Sequence, residues 1–250
     1  MEKRVSVVVC YNSSEQIRQF EADLQNQSEK VNLLAIDNTG GKYPSCSSAY
    51  NAAVQQIQTE FVIFSHQDIS FCHSDTIRRF VDDCEKAGEN DIVGVVGKKR
   101  GYPYGIGNIY QGTRGHRAAV GVIHGMTECD TVDECFFGGR TACFRRYPFS
   151  ETLCDGWHCY AVERCLAALA RHDRVLVADS DLIHLSGGRT NHAYNITLYK
   201  ICMAYRRTID YIATTCESTS TRPVKREAAL IKRELHVLKR NFLERISHRG

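Results

Sequence analysis

No apolar run in this chain approaches the roughly 20 residues that cross a bilayer, which excludes a membrane-spanning helix. Its first residues, MEKRVSVVVCYNSSEQ, hold too short an apolar run for a secretory signal and no small-residue cleavage site. The expected location is therefore the cytoplasm, with any membrane contact made at the inner face. Twelve cysteines are present, but none forms a CxxC pair, and Cys154 and Cys159 stand five apart with no matching second pair. That spacing excludes a zinc framework, and a reducing compartment excludes lasting disulfides. The cysteines are expected to serve mostly as small buried apolar residues. Prolines number only four, and a composition of 43% hydrophobic and 24% charged residues fits an ordinary globular protein. The net charge of +3 is small, with its positive excess toward the C-terminus. At 250 residues the chain can bury a sizeable core, as one large domain or one domain with an appendage.

What is present is a series of strand-like runs ending on polar residues. Residues 4–10 (RVSVVVC) suit a strand covered on both faces. Ser13 and Ser14 offer N-caps to a helix carrying Ile17, Phe20 and Leu24 at helical spacing. Residues 31–36 (VNLLAI) lead into the turn sequence Asp37-Asn38-Thr39-Gly40-Gly41, and a helix is expected over 47–58. Residues 60–64 and 91–96 give a third and fourth strand, with a helical face of Ile77, Phe80, Val81 and Cys84 between them. This alternation predicts an α/β fold, a mostly parallel sheet flanked by helices. Further on, residues 132–137, 141–144 and 174–177 read as strands, 158–170 as a helix, and everything from about Tyr194 as helix. The Gly- and Tyr-rich stretch 97–125 reads as a mobile substrate-covering loop. Its piece GIGNIYQG follows no strand and opens no helix, which sets a dinucleotide fingerprint aside.

Ligands of open α/β sheets bind beyond the carboxyl ends of the strands, near the switch in strand order. Three polar groups fall at predicted strand ends: Tyr11-Asn12, Asp37-Asn38 and His66-Gln67-Asp68. One such group is an ordinary turn. Three along one edge point to a ligand. Asp37 could accept hydrogen bonds from a nucleoside base or ribose, and Asp68 could meet a metal–diphosphate.

The pieces VSVVVCYN, AIDNTGG and AYNAAVQQIQTEFVIFSHQDISF resemble the nucleotide-binding half of family 2 glycosyltransferases, which have the GT-A fold. VDECFF, YPFSETL, DGWHCYAVERCL and IHLSGG extend the likeness, which spans residues 4–190 and rests on the order and spacing of these motifs. The resemblance implies a GT-A-like (Rossmann-like) domain over 1–193, with a nucleotide-binding half (1–97) and an acceptor or catalytic half (98–193). A helical extension, 194–250, would follow. It implies a UDP- or GDP-sugar donor held by Cys10, Tyr11, Asn12, Asp37, Asn38, Asn51, His66, Gln67 and Asp68. SHQD at 65–68 stands where the family has DxD, and is similar to the His-Gln-Asp variant of one branch. Ser65 or His66 replaces the first carboxylate, so the implied Mn²⁺ or Mg²⁺ would rest on Asp68 with His184 as a second ligand. Mn²⁺ accepts imidazole as well as oxygen.

The family also uses a carboxylate base from a Glu-Asp motif at a helix start. The nearest register here puts Ala161 where the Asp would stand, with Glu163 two residues later. Asp155, at the head of the same helical segment, is favoured as the base, ahead of Glu163 and His158. Its bland role would be helix capping. Asp133 and Trp157 fall on the acceptor side, where Trp157 could stack on a sugar or simply pack in the core.

The implied activity is metal-assisted, inverting sugar transfer to a glycan or lipid-linked acceptor, as in polysaccharide biosynthesis. A nucleotide- or glycan-binding module without turnover is the alternative, favoured by the reduced DxD and the missing Glu-Asp motif. Near the C-terminus, Ile231, Leu235, Leu238, Phe242 and Ile246 form an apolar stripe. Lys225-Arg226, Lys232-Arg233 and Lys239-Arg240 recur seven residues apart. Such a basic amphipathic helix packs on its own domain, pairs with a second subunit in a homodimer, or adsorbs to an anionic membrane. Nucleic acid is disfavoured, because no aromatic residues interleave with the basic pairs.

Overall fold

The computed structural model describes residues 3–112, 117, 118, 121, 123–186 and 190–247, without the side chains of 246 and 247. The chain opens with β1 (Val5–Tyr11), α1 (Ser14–Gln25), β2 (Val31–Asp37), α2 (Cys46–Val54), β3 (Phe61–Ser65), β4 (Ile69–Phe71) and α3 (Thr76–Lys86). Next come β5 (Ile92–Gly94), β6 (Val96–Lys98), β7 (Ile106–Gly107), β8 (Ile109–Gln111), β9 (Thr127–Glu128), β10 (Thr131–Val132), β11 (Phe136–Arg140) and α4 (Thr141–Arg146). The remainder is α5 (Tyr160–Leu169), β12 (Val175–Val177), β13 (Leu182–His184), α6 (His192–Tyr205), β14 (Tyr211–Ile212), β15 (Thr219–Ser220) and α7 (Pro223–Ser247).

A seven-stranded sheet, ordered β2-β1-β3-β11-β5-β12-β9, forms the centre. β1 pairs in parallel with β2 and β3, and β5 with β12, while β11 enters antiparallel between β3 and β5. Side-chain alternation divides the core between two faces. Val5, Val7, Val9, Phe61 and Ile63 pack with Ile17, Phe20 and Leu24 of α1 and with Ile77 and Phe80 of α3. Val8, Val62 and Phe64 belong to the other layer, with α2, α4, α5 and α6. Because both faces are covered, β1 and β3 read as unbroken apolar runs. Ser13 caps α1 as expected, its hydroxyl accepting the Gln16 N–H at 3.3 Å. Where β11 crosses β3, a Cβ on Gly138 would stand 2.1 Å from the Val62 carbonyl oxygen, so this register requires glycine.

Several local expectations change. Residues 141–144 begin α4, with Thr141, Cys143 and Phe144 buried; short apolar runs do not distinguish helix from strand. The strand expected over 132–137 divides into β10 and β11, where Asp133 accepts the Cys135 N–H at 3.0 Å and turns the backbone. The stretch 97–125, where described, is not a single loop: β6 and β7 join β10, and β8 joins β13 and β4, in two small sheets. Residues 113–116, 119, 120 and 122 lie outside the described residues. The region after Tyr194 is interrupted by the β14–β15 hairpin. The boundary expected at 193/194 falls inside α6, which buries Tyr194, Leu198, Ile201 and Cys202 in the main core. α7 lies along α6 through Arg226, Arg233 and Val237, leaving Ile231, Leu235, Leu238 and Phe242 exposed. Ile246 lies outside the described side chains. Nine of the twelve cysteines are buried, as expected of small apolar residues. No described helix is long and apolar enough to cross a membrane.

Candidate active site

β1 lies between β2 and β3, so the carboxyl ends of β1 and β3 flank the switch in strand order where such sheets bind ligands. A cavity of about 400 Å³ sits there. Cys10, Tyr11 and Asn12 line it from the end of β1, Asn38 from beyond β2, and His66, Gln67 and Asp68 from beyond β3. Cys46, Tyr50, Trp157 and Tyr160 complete the wall. Gln67 binds the two central strand ends together. Its Oε1 accepts the backbone N–H groups of Asn12 and Ser13, each at 3.1 Å, and its Nε2 donates to Asn12 Oδ1 at 2.6 Å.

Two expected donor-binding residues, Asp37 and Asn51, do not line this cavity. Asp37 Oδ1 accepts the Thr39 N–H at 2.9 Å and the Thr39 hydroxyl at 2.7 Å, which holds its carboxyl below the usual range. It lines a neighbouring groove of about 540 Å³ with Thr39, Lys42 and Tyr43. The Asn51 side chain bonds the Phe149 carbonyl at 3.0 Å and N–H at 2.9 Å, fastening α2 to the segment before α5.

His66, Asp68 and His184 converge, one ligand atom from each lying within 4.8 Å of the others. His184 arrives on β13, which pairs with β4 and places His184 opposite Ile69. Its Nε2 is 3.4 Å from Asp68 Oδ1, and His66 Nδ1 is 4.0 Å from the same oxygen. The Tyr160 hydroxyl engages His66 Nε2 at 3.2 Å, which turns Nδ1 toward Asp68. Ser65 is fully buried and donates to the His66 carbonyl, so of the two it is His66 that joins the cluster with Asp68. Burial opposes ionisation of Asp68, but the hydrogen bond and charge of His184, with Ser186 and His66, outweigh it and hold the carboxyl well below its usual range. His184 is raised in turn by Asp68 against its own desolvation, and His66 is lowered by burial and by His184. One ionised carboxylate with two imidazoles is a donor set that suits Mn²⁺ better than Mg²⁺.

A second cavity, about 580 Å³, shares His66 and Trp157 with the first. Asp133, Glu134, His158, His184 and Tyr194 are among its walls. The Asp133 carboxylate is fixed by the Thr215 hydroxyl and the Cys135 N–H. His158 meets Tyr194 edge-on at 5.8 Å, and burial lowers its pKa despite a hydrogen bond to Asn191. Trp157 is 41% exposed, so its ring face remains open at the junction. The two carboxylates favoured as bases line neither cavity. Asp155 is exposed and pairs with Lys200 at 2.6 Å. Glu163 is buried and accepts the Tyr205 hydroxyl at 2.8 Å.

Glu134 went unrecognised in the sequence. Its carboxyl faces the backbone N–H groups of Cys159, Tyr160 and Ala161 at the start of α5. The N-cap of that helix, Cys159, sits at φ 63° and offers no side-chain cap. Glu134 therefore stands where a capping acceptor belongs. Its Oε1 has no hydrogen-bond partner among the described residues. Burial and the Asp133 charge push its pKa well above the usual value, against the three N–H groups. A carboxylate absent at Ala161 is thus supplied to the same helix start from the β10–β11 turn. VDECFF contains the signal, but nothing in linear spacing reports that the β10–β11 turn abuts α5.

The sequence pattern of the family described as Glycosyltransferase like family matches residues 6–195. The chain belongs to that family. No curated protein matches it. Among solved structures, this glycosyltransferase-like protein is similar to the mannosyltransferase PcManGT from Pyrobaculum calidifontis in complex with GDP-Man and Mn²⁺. The TM-score is 0.57 at 13% identity, over 82% of this chain and 64% of that one. S. aureus TarS 1-349 in complex with UDP-GlcNAc gives a TM-score of 0.54 at 15% identity, over 80% and 65%. GalNAc-T7 with UDP, GalNAc and Mn²⁺ gives 0.57 at 8% identity, over 80% and 47%. The likeness is one of fold, and the expected GT-A-like architecture holds. The glycosyltransferase-like chain spans less than two thirds of the length of these structures.

Proposed function

We propose that this protein transfers a sugar from a nucleotide-diphospho-sugar to an acceptor hydroxyl, the donor occupying the smaller cavity and the acceptor the larger. The observation that carries this reading is the His66–Asp68–His184 cluster: Asp68 lines the first cavity, His184 the second, and His66 both. The three residues would hold a divalent ion, which when bound would supply a Lewis acid for the departing diphosphate. Asn12 and Asn38 present polar groups to the nucleoside at the strand ends, while Gln67 fixes the loop that carries Asn12. Trp157 offers its ring face to the sugar and excludes water from the junction. Asp133, held by Thr215, orients the acceptor hydroxyl. Glu134 takes the hydroxyl proton: it lines the larger cavity, the α5 N-terminus favours its ionised form, and burial raises its pKa above the ordinary carboxylate range. Donor and acceptor approaching from different cavities suit a single, inverting displacement. A glycan or lipid-linked acceptor, reached at the cytoplasmic side, is the class that the family resemblance favours.

Ala161 at the helix start favours a second reading, a module that binds sugar nucleotides without turnover. A panel of UDP- and GDP-sugars, with and without Mn²⁺, separates the two by thermal shift and nucleotide release. We expect one donor to stabilise the fold in a Mn²⁺-dependent way, by about 2.7 kcal/mol at a hundred times its Kd. Release of nucleoside diphosphate should accompany it. Stabilisation without release would establish the module, and no stabilisation by any sugar nucleotide would refute both.

A further inference from the structure

α7 turns its apolar residues away from the protein. Val224, Ile231, Leu235, Leu238 and Phe242 are 82, 60, 60, 63 and 64% exposed, whereas Arg226 and Arg233 on the opposite face are 5 and 7% exposed. A helix serving only its own core would show the reverse. Apart from Leu243, which is 54% exposed, these residues follow a repeat of seven. Val224, Ile231 and Leu238 occupy one position, and Ala228, Leu235 and Phe242 the position four residues later. That is the 3.5-residue period of a coiled-coil seam, with d and a positions in that order. Arg245 occupies the next d position and closes the seam.

The rims identify the occupant. Position e is lysine three times, at Lys225, Lys232 and Lys239, all exposed; position g is Glu227, Glu234 and Asn241. An anionic bilayer favours cations on both rims of an adsorbed helix, and here one rim is acidic. A second copy of the same helix matches both rims, but only in one direction. In a parallel pair each g residue meets the e residue of the following heptad, so Glu227 faces Lys232 and Glu234 faces Lys239, each twice by symmetry. An antiparallel pair would set lysine against lysine and glutamate against glutamate. α6 already orders the acidic rim. The Tyr199 hydroxyl donates to Glu227 at 3.0 Å, while His192 and Asn195 both engage Glu234 at 2.7 Å. Carboxylates held in place before association lower the entropy cost of pairing.

We infer that this protein forms a parallel, two-fold symmetric dimer in which the α7 seam packs against the same seam of a second copy. Glu227–Lys232 and Glu234–Lys239 pairs cross the interface, which is isologous. Sedimentation equilibrium of the whole chain at tens of micromolar is expected to give twice 28.3 kDa, with dissociation on dilution. Leu235→Glu, and separately Lys232→Glu with Lys239→Glu, should give monomers with unchanged circular dichroism, since these side chains are exposed. Adding Glu227→Lys and Glu234→Lys to the lysine reversals should restore the dimer, because the two rims have then exchanged charge. A monomer at every concentration overturns the inference, including one that binds phosphatidylserine vesicles instead. So does a dimer indifferent to the lysine reversals, whose helices could not be parallel along this seam.

Discussion

Asp68→Asn is expected to lower sugar transfer and donor hydrolysis at least a thousandfold, with the fold intact. Asp68 is the one carboxylate of the three-residue cluster, so of the three it alone would bring negative charge to a divalent ion. Losing that charge stabilisation at the transition state is worth about 4 kcal/mol, or roughly three powers of ten in rate. Asparagine has nearly the same shape. The main-chain carbonyl of residue 68 would still accept the Leu185 N–H, now at 2.9 Å, so β4 and β13 stay joined. Steady-state rates, Mn²⁺ titration by calorimetry and circular dichroism together check this. A variant within tenfold of wild type would sink the metal assignment. The sign of the pH effect also follows. Asp68 raises the pKa of His184, and a protonated imidazole cannot ligate a metal. Mn²⁺ affinity should therefore climb as pH rises through the raised His184 pKa, and in the variant the climb should shift to lower pH.

Glu134→Gln should lower kcat by about a hundred- to ten-thousandfold while changing donor KM little, the usual worth of a positioned general base. Glutamine keeps a carbonyl oxygen for the first amides of α5, so loss of capping alone would predict a stability change and near-normal turnover. The pH profile provides a second check. Because burial and Asp133 raise the Glu134 pKa, the base form appears only above the ordinary carboxylate range. Wild-type kcat should rise with pH through that raised value and then level, and the variant should lack the rise. Asp155→Ala is the control: the group is exposed, paired with Lys200 and outside both cavities, so its activity should stay near wild type. Retention of the acid limb in Glu134→Gln would move the proton acceptor elsewhere.

How far the molecule could be read from its sequence depended on whether the contacts involved are local. β1 and β3 were legible because strands buried on both faces must be apolar throughout, and the polar residues ending them could only be turns or ligand groups. His184 was legible as a histidine at a strand end, and β13 does bring it to Asp68. The antiparallel entry of β11 between β3 and β5 was not, since register across a sheet leaves little local trace beyond a glycine such as Gly138. The same limit applies to the proposed base. Asp155 sits at the head of a helical pattern, where the sequence suggests a catalytic carboxylate, yet it pairs at the surface with Lys200, 45 residues on. Glu134 reaches the α5 start from a turn 25 residues earlier, an approach that only tertiary packing creates. Asp37 was legible as a strand-end acid; that its own turn, through Thr39, engages one of its two carboxylate oxygens was not.

The wall between the two cavities has one more consequence. Trp157, part of that wall, is the chain's single tryptophan. Indole emission from the whole protein therefore originates at one point, against which both substrates would lie. Intrinsic fluorescence can follow the filling of either cavity in unlabelled, unmutated protein, and titrating the two ligands in alternate order would reveal which must enter first.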